Sequence, residues 1–123
     1  MDEAKGRRER PLHVLFVCSY GRMRSPTAAN LFRDYPGLET SWGGTSSFAE
    51  VPVDAARVDW ADAVFVMEPT HRDALRERFS AQLADKPVVV LGIPDLYPYM
   101  DPELVGLLRA EVIPQLDRLT GRA

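Results

Sequence analysis

The sequence of 123 residues contains a single cysteine, Cys18, and two histidines, His13 and His71. One cysteine cannot form an internal disulfide, which favours a reducing compartment such as the cytoplasm. Neither histidine has cysteine or histidine companions at the spacing of a metal site. We therefore expect no bound metal, and packing, capping or surface roles for both histidines.

The sequence also lacks a long apolar run and an excess of positive charge. No apolar stretch approaches the roughly 20 residues of a membrane span. The first ten residues, MDEAKGRRER, lack the apolar segment of a signal peptide. A net charge of -3 gives no reason to expect nucleic acid or an anionic membrane as a partner. We expect a flexible N-terminal tail over 1–10 and a single domain over 11–123, whose oligomeric state the sequence does not indicate.

Apolar runs with strand character alternate with helical patterns along the chain. Strands are predicted over 12–17, 38–42, 63–67 and 87–93. Helices are predicted over 25–35, 51–58, 69–79 and 101–119. This alternation predicts a small, doubly wound three-layer α/β sandwich with a four-stranded parallel sheet. Ligands of such folds bind in the loops that follow the carboxyl ends of the strands.

One of these loops lies in the stretch VLFVCSYGRMRSPTAA, over 14–29. Cys18 ends the first predicted strand, Arg24 and Ser25 follow six and seven residues later, and Pro26 begins a predicted helix. Cys18 is either a small buried hydrophobe or the nucleophile of an anion-binding loop. At average residue usage, Arg and then Ser or Thr follow a cysteine at this spacing by chance in roughly 1% of cases or fewer. The second reading is therefore preferred.

The chemistry of this loop suits a phosphate group. Gly21 permits the dihedral angles of a tight anion-binding turn, and the following helix contributes its N-terminal N–H groups. Arg24 can bind two phosphate oxygens, and Ser25 can donate its hydroxyl to the sulfur. These features favour a thiolate at Cys18. The candidate phosphate-binding residues are Ser19, Tyr20, Gly21, Arg22, Met23 and Arg24.

Cleavage of a phosphate ester also needs an acid for the leaving group, and two aspartates follow the last predicted strand. Asp95 comes directly after the strand, whereas Asp101 precedes Pro102 and Glu103, which is the pattern of a helix N-cap. Both stay candidates on the residues alone. Tyr20 and Tyr97 can line the substrate entrance, although rim packing is an equally ordinary role for a tyrosine.

The stretch around Cys18 resembles the phosphate-binding loop of the low-molecular-weight protein tyrosine phosphatases, in which C-x5-R and then Ser or Thr follow the first strand. The resemblance extends to SWGGTSS, similar to the family's SAGT segment, to WADAVFVMEPTHRDAL, and to IPDLYPYMDPEL, similar to its PDPY loop. Most of 12–119 is covered in the family's order. The chain is shorter than typical members of the family, and it most resembles a compact bacterial branch described as predicted protein tyrosine phosphatases.

This resemblance implies a phosphocysteine intermediate and no metal or other cofactor. It implies that Cys18 is the nucleophile, that Arg24 binds the phosphoryl group and that Ser25 supports the thiolate. It favours Asp95 as the acid, with Leu96 in place of the family's proline, and leaves Asp101 as the alternative acid. Two positions depart from the family: Met23 replaces a second cysteine, and Gly21 replaces an asparagine.

The expected function is a cysteine-dependent phosphomonoester hydrolase, acting on a phosphotyrosine-containing protein or a small aryl phosphate. Two alternatives stay open. Arsenate reduction would need an external thiol, because the chain has no further cysteine. A non-catalytic phosphate- or phosphopeptide-binding module would use the same loop without turnover.

Overall fold

The computed structural model describes residues 10–121. Residues 1–9 of the predicted tail, and 122–123 of the predicted domain, lie outside the described residues. The strands are β1 (Leu12–Cys18), β2 (Leu38–Gly44), β3 (Ala63–Val66) and β4 (Val88–Val90). The helices are α1 (Arg24–Phe32), α2 (Ala55–Trp60), α3 (Pro69–Arg78), α4 (Ser80–Leu83) and α5 (Pro102–Thr120).

The four strands form one parallel sheet in the order β2-β1-β3-β4. Alternate side chains of β1 enter two different apolar clusters, because successive residues of a strand point to opposite faces. Val14, Phe16 and Cys18 pack towards α1 and α5, whereas Leu15 and Val17 pack towards α2, α3 and α4. Helices therefore cover both faces of the sheet, and the predicted doubly wound three-layer fold is confirmed.

The second predicted helix was placed too early in the chain. Residues 51–53 instead extend the pairing at the end of β2: the Gly44 N–H donates to the Val51 carbonyl and the Val53 N–H donates to the Gly44 carbonyl, both at 2.9 Å. The helix begins only after Asp54, whose carboxylate accepts from the Arg57 N–H at 2.8 Å. The short helix α4 was not predicted, since four residues carry too little periodicity to recognise.

The strand order places one loop at a special point of the sheet. From β1 the chain crosses to β2 on one side and later to β3 on the other, so the carboxyl end of β1 opens between two crossovers. In open α/β sheets ligands bind at such a point. Cys18 is the last residue of β1, so it lies at this point.

Among the described residues, no helix has the length and apolarity needed to cross a membrane.

Candidate active site

The sulfur of Cys18 lies at the floor of a turn that is closed by its own backbone. Cys18 is buried, and its Sγ accepts from the Gly21 N–H at 3.2 Å. Gly21 has a φ of +63°, a left-handed conformation that glycine adopts without steric cost. This φ angle is of the kind predicted for a tight turn at Gly21. The turn directs the Gly21 amide proton at the Cys18 sulfur.

The hydroxyl of Ser25 is the second polar group beside the sulfur. Its Oγ lies 3.1 Å from Cys18 Sγ and 3.3 Å from the Gly43 carbonyl oxygen. A hydroxyl has one proton to donate, so these two contacts compete for it. With a neutral thiol, the S–H can donate to Oγ while the hydroxyl donates to Gly43. With a thiolate, the hydroxyl turns to the sulfur, and the charge is then stabilised by two donors.

The guanidinium of Arg24 is buried and held by three contacts. Its Nη1 donates to Glu68 Oε2 at 2.5 Å and to the Ile93 carbonyl at 2.7 Å. Its Nε lies 3.8 Å from Asp95 Oδ1. Since a guanidinium is planar, these contacts fix the plane in which its other N–H groups point. Neither Glu68 nor Ile93 was predicted from the sequence.

His71 supports the loop from α3. It is buried, its Nδ1 lies 3.1 Å from the Glu68 N–H, and its Nε2 lies 2.9 Å from Ser19 Oγ. An amide can only donate, so Nδ1 accepts and Nε2 carries the proton that is donated to Ser19. Burial lowers the pKa of His71, and the nearby Arg24 charge lowers it further, against smaller opposing contributions from the carboxylates of Glu68 and Asp95. The neutral, donating imidazole is thus the favoured form.

The segment after β2 packs directly beneath the loop. The N–H groups of Thr45 and Ser46 donate to the carbonyls of Cys18 and Ser19 at 3.0 and 2.9 Å. A Cβ added to Gly44 would lie 2.6 Å from the Ser19 carbonyl oxygen and 2.7 Å from the Gly21 nitrogen. Side chains are excluded at this contact, which explains the glycine at position 44.

These elements enclose an open cavity of about 270 Å³. The residues that line it are Cys18, Tyr20, Arg22, Met23, Arg24 and Asp95. Of the remaining predicted phosphate-binding residues, Ser19 bonds to His71 and Gly21 turns its N–H to the sulfur. The Arg22 guanidinium stands 5.8 Å from the centre of the Tyr20 ring and 3.4 Å from a carboxylate oxygen of Glu50.

The two candidate acids lie in different surroundings. Asp95 lines the cavity. Asp101 is the N-cap of α5, where its carboxylate accepts from the Glu103 N–H at 2.8 Å. Tyr97, predicted to line the substrate entrance, is partly buried against the apolar cluster of α1 and α5 and is not among the residues that line the cavity. Within 10–121, no group of three or more His, Cys, Asp or Glu side chains is placed to hold a metal ion.

Comparison with solved structures identifies the fold. The YwlE arginine phosphatase from Geobacillus stearothermophilus matches with 27% identity and a TM-score of 0.62, over 91% of this chain and 92% of that one. The tyrosine phosphatase Wzb from Escherichia coli K30, in complex with phosphate, matches with 19% identity and a TM-score of 0.72, over 87% and 97%. This chain has the low-molecular-weight protein tyrosine phosphatase fold. The family resemblance predicted from the sequence is confirmed.

A low-molecular-weight protein tyrosine phosphatase from Vibrio cholerae O395 also matches, with 18% identity and a TM-score of 0.71, over 88% of this chain and 96% of that one. No protein-family model matches the chain, and no curated protein matches it either. The likeness to solved structures supports a general phosphatase function, and the predicted hydrolase class is confirmed.

Sequence reasoning missed the residues that act on the loop from a distance. Glu68 and Ile93 hold Arg24, Gly44 accommodates the loop backbone, and His71 binds Ser19. The signal in the sequence was that all four residues lie in stretches that resemble the family: Gly44 in SWGGTSS, Glu68 and His71 in WADAVFVMEPTHRDAL, and Ile93 in IPDLYPYMDPEL. The resemblance indicated where these stretches belong without indicating what their residues contact.

Proposed function

We propose that this chain is a cysteine-dependent phosphatase that cleaves aryl phosphates, with phosphotyrosine in a protein as the substrate class. The observation that carries the proposal is the surroundings of one sulfur atom. Cys18 Sγ receives the Gly21 N–H at 3.2 Å and has the Ser25 hydroxyl at 3.1 Å. Arg24 and Asp95 line the same cavity. The proposed nucleophile, anion cradle and acid therefore border the same cavity.

In the proposed reaction the Cys18 thiolate attacks phosphorus, and the bond to the leaving oxygen breaks as the S–P bond forms. Arg24 and the backbone N–H groups of the loop bind the equatorial phosphoryl oxygens. Asp95 donates a proton to the departing phenolate oxygen, and the product is a phosphocysteine. Asp95, now a carboxylate, then removes a proton from the water that attacks the phosphocysteine. Phosphate leaves and the thiolate is restored.

We infer from the residues of the cavity wall that an aryl group is preferred over a guanidinium. Tyr20 offers a ring for stacking, and Arg22 places a cation at the same wall. A phosphoarginine side chain would bring a second guanidinium against Arg22. Because an arginine phosphatase matches this chain at 27% identity, phosphoarginine is the substrate with which phosphotyrosine should be compared. A lone nucleophilic thiol works only where it stays reduced, so we place the reaction in the cytoplasm.

The test is steady-state turnover of a phosphotyrosine peptide, the matching phosphoarginine peptide and p-nitrophenyl phosphate, with a metal chelator present. Wild type should hydrolyse both aryl phosphates and prefer the phosphotyrosine peptide. Cys18→Ser should abolish turnover, since a serine hydroxyl is a far weaker nucleophile and a poorer leaving group than a thiolate. Acid quenching of wild type during turnover should trap a labelled phosphocysteine.

Other outcomes would replace the proposal. Preference for the phosphoarginine peptide would correct the substrate class. Tight binding of phosphate without turnover of any ester would indicate a binding module. Reduction of arsenate with an external thiol donor, without hydrolysis of esters, would indicate a reductase.

A further inference from the structure

Thr27 joins the two loops that face each other across the cavity. It lies in the first turn of α1 and is fully buried. Its hydroxyl donates to the carbonyl of Met23, in the phosphate-binding loop, at 2.7 Å. The same oxygen accepts from the N–H of Met100 at 2.9 Å. Met100 belongs to residues 94–101, here called the acid loop because they include Asp95.

The chemistry of the two partners fixes which hydrogen bond the Thr27 hydroxyl donates and which one it accepts. A carbonyl oxygen can only accept and an amide N–H can only donate. The single hydroxyl proton therefore goes to Met23, and an oxygen lone pair receives Met100. Because each partner has a fixed role, the side chain is held in one orientation and links the two loops directly.

Met100 lies in a turn that is closed by the bond from the Asp101 N–H to the Pro98 carbonyl at 3.1 Å, and the Thr27 link holds the Met100 N–H of this turn. Met100 has a φ of +61°, a left-handed conformation that is unfavourable for a residue with a side chain. Such conformations persist where surrounding contacts hold them. Next to it, the Tyr99 hydroxyl accepts from Asn30 Nδ2 at 2.7 Å, which adds a second contact between the acid loop and α1.

The other end of the acid loop is attached to the same part of the chain. Ile93, just before the loop, has its carbonyl bound by Arg24 at 2.7 Å. Between these two attachments, Asp95 has an exposed side chain, and its nearest charged partner is Arg24 Nε at 3.8 Å. Its own contacts hold it weakly, so its position depends on where the ends of the loop are held.

We propose that Thr27 is a positioning residue, which fixes the acid loop relative to the phosphate-binding loop and so sets the place of Asp95 over Cys18. This proposal rests on the proposed function. It predicts that loss of the hydroxyl weakens protonation of the leaving group and spares attack by the sulfur.

The experiment uses three single variants of the full chain. Thr27→Val removes the hydroxyl and keeps the branched shape, whereas Thr27→Ser keeps the hydroxyl. Thr120→Val is the matched control, because the Thr120 hydroxyl also donates to the carbonyl four residues earlier, that of Leu116, at 2.7 Å. Thr120 is the last residue of α5, and its bonds stay within that helix.

Turnover is measured on phenyl phosphate, whose leaving group needs a proton, and on dinitrophenyl phosphate, whose leaving group is stable as an anion. For Thr27→Val we expect kcat/KM on phenyl phosphate to fall by about 10-fold or more, and on dinitrophenyl phosphate by less than about 2-fold. We compare kcat/KM because it covers the steps up to formation of the phosphocysteine and leaves out its hydrolysis, in which Asp95 acts on both esters. Thr27→Ser and Thr120→Val should keep the wild-type ratio of the two rates. Labelling of Cys18 by iodoacetate should be unchanged in all three variants.

A second measurement follows the link itself without turnover. Hydrogen exchange of the Met100 amide should be faster in Thr27→Val than in wild type, and near the wild-type rate in Thr27→Ser and Thr120→Val.

Three results would overturn the proposal. An equal fall on both esters with slower labelling of Cys18 would mean that the hydroxyl acts on the phosphate-binding loop alone. Unchanged rates on both esters, or unchanged exchange at Met100, would remove the coupling. If wild type cleaves neither ester, the proposed function fails and the catalytic part of this proposal fails with it, whereas the exchange rates still decide whether the link exists.

Discussion

The two walls of the cavity are built in opposite ways. In the phosphate-binding loop, Arg24 and Ser25 are buried, and the carbonyls of Cys18, Ser19 and Tyr20 each accept an N–H from 45–50. In the acid loop, Leu96 is 74% exposed, and Tyr99 and Met100 also face solvent. One wall is bonded to the neighbouring segment along its length, and the other is held to the rest of the protein mainly at its ends.

This difference corresponds to what each wall must bind. A phosphoryl group has the same charge and shape on every substrate, so donors that are fixed before binding stabilise it without further reorganisation. Leaving groups differ in size, and the acid must reach each of them. An exposed loop attached at two points can adjust to such differences while its carboxyl group stays near the sulfur.

The largest expected effect separates the two aspartates of the exposed wall. Asp95→Asn should lower kcat on phenyl phosphate by about 100-fold or more, because the amide cannot supply the proton. Asp101→Asn keeps an oxygen that can cap α5, and we expect it to change kcat by less than about 2-fold. Steady-state rates of the two variants check this. A large loss in Asp101→Asn with little loss in Asp95→Asn would reverse the assignment of the acid.

The next effect tests how tightly the buried wall is packed. Gly44→Ala places a Cβ within 2.7 Å of the loop backbone, so either the loop or β2 must shift. We expect kcat/KM to fall by about 10-fold or more, and stability by about 1–3 kcal/mol. Gly106 lies within α5 with open space around its Cα, and Gly106→Ala should stabilise the chain by about 0.5–1 kcal/mol. Equal behaviour of the two variants in denaturation and kinetics would contradict the packing argument.

The next prediction concerns stability alone and compares the ion pairs that two arginines of the phosphate-binding loop make with glutamates. Glu68→Gln weakens a charged hydrogen bond to the buried Arg24, and we expect the free energy of unfolding to fall by about 1.5–3 kcal/mol. Glu50→Gln affects the exposed pair with Arg22, and we expect about 0–1 kcal/mol. Urea denaturation of both variants measures the difference. A larger loss in Glu50→Gln would show that burial does not govern these pairs.

The smallest effect is a pH dependence of stability from His71. Its pKa is lowered in the fold from 6.5, so below that pH the unfolded chain binds more protons than the folded one. Its contribution to stability is therefore present above about pH 6.5 and decreases as the pH falls towards the lowered pKa. His71→Asn should flatten the dependence of the free energy of unfolding on pH below about pH 6.5, compared with wild type, whereas His13→Asn should retain the slope due to His71. Parallel curves for wild type and His71→Asn would contradict the burial argument.

Local patterns were enough to predict much of the fold. The strands over 12–17 and 63–67 are continuous apolar runs, and their burial on both faces follows directly from that composition. The helix over 51–58 was placed wrongly because residues 51–53 pair with Gly44, seven to nine residues earlier and outside the predicted helix. Propensity within a short window does not detect such a contact.

The same division applies to the site. The sequence by itself determined that Cys18, Gly21, Arg24 and Ser25 lie close together at the end of a strand. They are near one another in the chain, and the short loop between the strand and the helix keeps them near one another in space. Only the tertiary structure decided which distant groups hold them, among them Glu68, His71, Gly44 and the Thr27–Met100 link. It also decided which aspartate lines the cavity. Those contacts join residues 23 to 73 positions apart, and their geometry depends on how the layers of the fold pack against each other.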